Sequence, residues 1–241
     1  MADETSYMAH AFTRFFDSPK VAEHLNHCSY DYDTSWEFIN LFLSLLSKQL
    51  PFLISFENTN TYVTTKGGVE VSFLPDLERL LSQAERDPSG GKVLLMHLPV
   101  FRTHSSKHGH SCIIAFDVRT KTQSFFDPMA TTASPGISSS ICSVPLVPGY
   151  STHSMVAWTK EATIQHIVES TCDLEDTCSI CCIMVTIAMC MTEYSLHTTI
   201  KRMTQALRRW DYDHVSSLVM KTTTWYQQGF VNANDGDPIP F

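Results

Sequence analysis

The stretch His110-Ser-Cys-Ile-Ile-Ala-Phe-Asp-Val-Arg-Thr-Lys-Thr-Gln-Ser-Phe-Phe-Asp127-Pro-Met puts an imidazole at the start of one apolar run and a carboxylate at the end of the next. The two runs read as paired strands joined by the turn Asp117-Val-Arg-Thr-Lys121. Residues at the open ends of a hairpin come close in space. Asp127 can therefore accept from His110 and fix its tautomer, which makes a general base with an orienter. Downstream, Cys181 falls at the N-terminal end of an apolar helix, where unpaired backbone N–H groups and the helix dipole stabilise a thiolate. Together these three residues can carry out nucleophilic acyl chemistry. Two positions compete for the thiol, since Cys182 or Cys178 can face the cleft instead. His108 competes with His110, because a shift of two residues keeps the same strand face. The plainer readings are a satisfied strand-end histidine, an Asp-Pro turn and a packed thiol on an apolar helix.

Zinc is the rival chemistry. Five of the eight cysteines lie between Cys172 and Cys190, and Cys178-Ser-Ile-Cys181 has a ligand-like spacing. Cys172, Cys178, Cys181 and Cys182, with His108, His110 and Cys112, supply enough donors for four ligands. No second Cys-x-x-Cys or His-x-x-x-His follows at the usual distance, so the expectation is no metal and no organic cofactor.

The elements that must position these residues are of both kinds. Thr34-Ser-Trp-Glu37 fits a capping box, and Trp36, Ile39, Leu43 and Leu46 recur at helical spacing, predicting a helix that ends before Pro51. Short β-like runs follow at 51–56, 61–65 and 69–73, then a helix over 76–86 that stops at Asp87-Pro-Ser-Gly-Gly91. Lys92 to Pro99 reads as a buried strand, Ser111 to Val118 as a second and Thr122 to Phe126 as a third. A polar loop runs from Ala130 to Ser140, and Ile141 to Val147 returns to the sheet. Ile180 to Met191 is too apolar for a surface helix, whereas Thr198 to Trp210 and Tyr212 to Trp225 are amphipathic.

Four of these segments carry a family resemblance. Glu37 to Leu46, Lys92 to Leu98, His110 to Met129 and Cys181-Cys-Ile-Met-Val resemble the first long helix, entry strand, His-to-Asp hairpin and nucleophile helix of the ubiquitin-like-protein proteases, the group that includes the adenovirus maturation protease. Asp127 follows His110 by 17 positions and Cys181 follows Asp127 by 54, close to that family's chain order of His, Asp, Gln, Cys. The resemblance implies an α+β, papain-like fold, with a central, largely antiparallel sheet packed against the helix that carries the nucleophile. It implies a thiol protease, a cysteine endopeptidase or isopeptidase of maturation-protease type, in which Cys181, His110 and Asp127 form the catalytic triad. Substrates would be a viral precursor polypeptide or a ubiquitin-like conjugate. The chain departs from the pattern at Ser111, where a tryptophan usually follows the histidine, at Asp33 in place of another tryptophan, and at Cys182 in place of a glycine. The oxyanion-hole glutamine aligns with Glu175. An ionised carboxylate there opposes a developing oxyanion, so activity would favour mildly acidic pH. The alternative is a non-catalytic descendant of the fold serving as an interaction or virion structural protein.

Composition narrows the classes further. The 241 residues, 43% hydrophobic and 17% charged, suffice for one core and read as a single domain, with 1–30 as an N-terminal extension and 232–241 as a loose tail. A net charge of −8 argues against a surface built to neutralise nucleic-acid phosphates. No stretch reaches the roughly 20 apolar residues of a membrane span. The acidic start Met1-Ala-Asp-Glu-Thr5 lacks the features of a secretory signal, and eight cysteines then read as reduced thiols in an intracellular, reducing compartment.

Overall fold

The computed structural model describes residues 4–18, 43, 46–47, 50–54, 63–64, 70–71, 74–101, 110–131, 145–157, 159–175 and 177–234. The chain is mixed α+β. Its sheet has six strands: β1 (Val63–Thr64), β2 (Glu70–Val71), β3 (Val93–Phe101), β4 (His110–Asp117), β5 (Thr122–Thr131) and β6 (Ser151–Ala157), in the order β2-β1-β3-β4-β5-β6. The centre, β3-β4-β5, is antiparallel as expected, but β1 joins β3 and β6 joins β5 in parallel.

Both faces of the central strands are covered, and the period of two sorts their side chains. On β3 and β4, Leu95, Ile113 and Ala115 enter one core while Met96, Leu98, Ile114 and Phe116 enter the other. Helix α2 (Leu74–Arg86) covers the second face with Leu77 and Leu81. The first face carries α1 (Glu4–Phe16), α3 (Ile164–Cys172), α4 (Cys178–Thr192), α5 (Leu196–Leu207) and α6 (Tyr212–Asn234). At the start of β3, a Cβ on Gly91 would sit 2.1 Å from the Leu53 carbonyl oxygen, so only glycine lets the chain pass there.

Helix α4 lies at the centre, with 12 of its 15 residues buried. A helix buried on nearly every side needs no amphipathic stripe, which is why its sequence is apolar throughout. Among the described residues no single helix is long and apolar enough to cross a membrane.

Several expectations change. Residues 4–16 are not part of an extension: Met8, Ala11, Phe12 and Phe15, spaced as one helical face, are buried in the α4 core. Of the strand expected over 141–147, residues 141–144 lie outside the described residues and 145–147 lead into a turn, after which β6 and α3 follow. Helix α6 continues to Asn234, past the start of the expected tail. Most of the helix expected from Thr34 lies outside the described residues, as do His108, Asp33 and Trp36, although Leu43 and Leu46 are buried in the core.

Candidate active site

The site lies where the open end of the β4–β5 hairpin meets the N-terminus of α4. The β4–β5 ladder runs from Asp117 paired with Thr122 to Ile113 paired with Phe126. Beyond it Pro128 has no N–H to donate, and the β5–β6 register shifts between Phe126 and Thr131. Released from the ladder, the Asp127 carboxylate turns toward the first residue of β4. His110 donates from Nε2 to Asp127 Oδ1 at 2.6 Å, and the same oxygen accepts the Met129 N–H at 2.9 Å. Asp127 is buried, and its orientation is fixed from two sides. With Nε2 committed to the carboxylate, Nδ1 is the ring nitrogen left to exchange a proton.

Two thiols act on this ring, Cys112, whose sulfur lies within 4.8 Å of the His110 and Asp127 ligand atoms, and Cys178; Cys112 is fully buried, so the thiol a substrate could reach is Cys178. Cys178 is the first residue of α4, ahead of the first helical hydrogen bond from Cys181 N–H to Thr177 O. It is partly exposed. Burial raises its pKa, but bonds from His110 and Ser111 outweigh that, and the thiol titrates below its ordinary value of 9.0. Burial pulls the His110 pKa down, and the bond to Asp127, followed by those to Cys112 and Cys178, reverses this and carries it up to about 12. The two shifts are mutual, since the charged form of each group favours the charged form of the other.

Cys181 does not meet His110. It is fully buried on the side of Thr177, whose Oγ1 lies 3.7 Å from its Sγ, and burial pushes its pKa up. This placement does not bring Cys181 to the imidazole, where the sequence reading expected it. A residue three positions along a helix is rotated by about 60° from the first and raised by most of a turn, which turns the Cys181 thiol toward Thr177 while Cys178 stays by His110. Cys182 is buried as well and donates to the Ser111 carbonyl at 3.3 Å. The signal that favours Cys178 in the sequence is Thr177, the polar residue that ends the turn before the apolar run.

Glu175 is exposed in the turn between α3 and α4. A carboxylate in solvent there does not line an oxyanion hole, which withdraws both that role and the acid preference built on it. The backbone donors nearest Cys178 are the N–H groups of the first turn of α4, which have no partner within the helix.

His110, Cys112 and Asp127 also gather nitrogen, sulfur and oxygen atoms within 4.8 Å of one another. Donors around one tetrahedral zinc stand about 3.4 Å apart, as bond lengths of 2.0–2.3 Å require. The 2.6 Å between His110 and Asp127 is too short for that and is the distance of a shared proton. The Cys178-x-x-Cys181 spacing likewise sends its two thiols to different neighbours, His110 and Thr177.

No protein-family model matches the sequence, and no curated protein does. Among solved structures the chain is similar to ChlaDub1 from Chlamydia trachomatis, at 12% sequence identity and a TM-score of 0.41, covering 83% of this chain and 93% of that one.

Proposed function

We propose that the chain is a thiol hydrolase of papain-like type, a cysteine endopeptidase or isopeptidase acting through Cys178, His110 and Asp127. The observation that carries this reading is one imidazole held by a buried carboxylate at 2.6 Å, beside a partly exposed thiol at a helix start whose pKa that imidazole helps to lower. His110 Nδ1 takes the proton of Cys178, and the thiolate sulfur attacks the scissile carbonyl carbon. The oxyanion draws on the N–H groups at the start of α4. As the C–N bond breaks, His110 returns the proton to the leaving amine. Water, deprotonated by His110, then releases the acyl group. The steps need neither a metal nor an organic cofactor. The substrate class is polypeptide, either a precursor chain or a ubiquitin-like conjugate, and a reduced thiol of this kind suits an intracellular reducing compartment.

The test is labelling at neutral pH with iodoacetamide and with vinyl-sulfone probes carrying ubiquitin, a small ubiquitin-like modifier or a Gly-rich peptide. Selective modification of Cys178, lost in His110→Ala, is expected. Absence of selective labelling at Cys178 with every probe would favour the non-catalytic interaction protein.

A further inference from the structure

A groove of about 300 Å³, with Asp127 and Pro128 in its lining, runs between β5, the end of β6 and α5. Its floor is low and apolar, made by Phe126, Ala130, Ala157 and Ile164. Small side chains at Ala130 and Ala157 leave room for a polypeptide backbone against the edge of the sheet, where β6 is the last strand. Its wall is one face of α5. His197, Lys201, Gln205 and Arg208, spaced by four, four and three, form a single stripe along that helix.

The charge of this stripe differs from that of the molecule. The chain carries −8 overall, yet the groove is lined by two permanent cations and one histidine. Lys201 and Arg208 are exposed, and neither side chain forms an ion pair among the described residues. Among the described residues the acidic lining of the groove is Asp127, whose Oδ1 is already taken by His110 and the Met129 N–H. Two exposed cations above an apolar floor complement an extended chain that alternates acidic and apolar residues, and repel a basic one.

We propose that this groove seats an acidic segment of a polypeptide, the stretch of substrate that flanks the scissile bond on the Asp127 side. Its place in a substrate rests on the hydrolase reading; its preference for acidic peptide does not. Binding is therefore measured without turnover, on Cys178→Ser protein, by fluorescence anisotropy of one labelled 12-residue peptide made in Glu, Gln and Lys versions. The Glu version should bind about tenfold more tightly than the Gln version, with the difference shrinking between 50 and 300 mM salt. Lys201→Glu combined with Arg208→Glu should remove that preference, and both positions are exposed, so the fold is spared. Arg119→Glu at the opposite end of the hairpin changes charge by the same amount per site and should leave the preference in place. Equal affinity for the Glu and Gln peptides, or an unchanged preference in the double variant, overturns the proposal. So does tighter binding of a single-stranded oligonucleotide than of the Glu peptide. If the preference holds while Cys178 of the unmutated protein fails to react with thiol probes, the docking groove stands and the hydrolase reading falls.

Discussion

The hydroxyls of Ser111 and Ser179 meet at 2.6 Å, joining the residue after the histidine to the residue after the reactive thiol. One turn further along the helix, Cys182 Sγ donates to the carbonyl of the same Ser111 at 3.3 Å. Strand β4 is thus fastened to the first turns of α4 at the point where His110 and Cys178 must keep their distance. A hydrogen bond of this kind contributes about 0.5–1.5 kcal/mol net. Ser179→Ala should lower unfolding stability by that amount in urea titrations and slow Cys178 labelling. A double-mutant cycle with Ser111→Ala should show coupling of similar size; additive effects would mean that the two hydroxyls act separately.

The thiol assignment separates three neighbouring cysteines. Cys178→Ser should abolish turnover and probe labelling while leaving thermal unfolding nearly unchanged. Cys181→Ser places a hydroxyl in a fully buried position beside Thr177, and should keep labelling while costing about 1–3 kcal/mol of stability if its hydrogen bonding is not satisfied. Intact mass after probe treatment and urea unfolding read the two effects independently.

Alkylation rates should follow the paired titration. Cys178 titrates below its ordinary value, whereas burial raises the pKa of the half-buried Cys172, which makes it an internal control. At pH 6–7 iodoacetamide should modify Cys178 well ahead of Cys172. In Asp127→Asn, burial acts on His110 without the carboxylate that opposes it, so the imidazole loses its proton more readily and the thiolate loses its partner. The alkylation midpoint of Cys178 should then move upward in pH. An unshifted midpoint would show that Asp127 has no part in holding the pair charged.

Stability carries two histidine signatures of opposite sign. His110 has a folded pKa above 6.5, so its contribution is full below pH 6.5 and is lost as pH rises toward about 12. His97 is fully buried in β3, and burial takes its pKa down to about 3, so the folded chain resists its protonation. Its contribution is full above pH 6.5 and is lost as pH falls toward 3. Between pH 7 and pH 5 this should cost about 2 kcal/mol, read as a drop in the urea midpoint. His97→Phe should flatten that part of the profile.

The antiparallel hairpin and the buried helix were legible, because β3, β4 and α4 are continuous apolar runs bounded by turns, but β5 runs on to Thr131, past the expected end at Phe126 and into the expected polar loop. The His110–Asp127 partnership was legible for the same reason: hairpin pairing alone brings those positions to one end. The thiol was not. Helix α4 is apolar around its whole circumference, so periodicity cannot say which of Cys178, Cys181 and Cys182 faces the strand. Its first residue decides, and helix ends are the least certain feature of any sequence pattern. Glu175 inherited its role from alignment to Cys181 and lost it with that alignment; Glu175→Gln should leave the pH profile of turnover superimposable on that of the wild type. Helix α1 offered a readable signal in Met8, Ala11, Phe12 and Phe15. Strand β6, Ser-Thr-His-Ser-Met-Val-Ala, offered none, since its place at the sheet edge demands no apolar run.

The central position of α4 also limits when the chemistry can exist. Its surroundings come from distant parts of the chain: Met8 and Phe12 near the start, Ile113 and Ala115 in the middle, Val215 and Leu218 far downstream. Until the last of these has been synthesised and docked, the helix lacks its apolar enclosure and Cys178 has no fixed imidazole beside it. On the hydrolase reading, a chain still growing on the ribosome would therefore carry Cys178 as an ordinary thiol until α6 has docked.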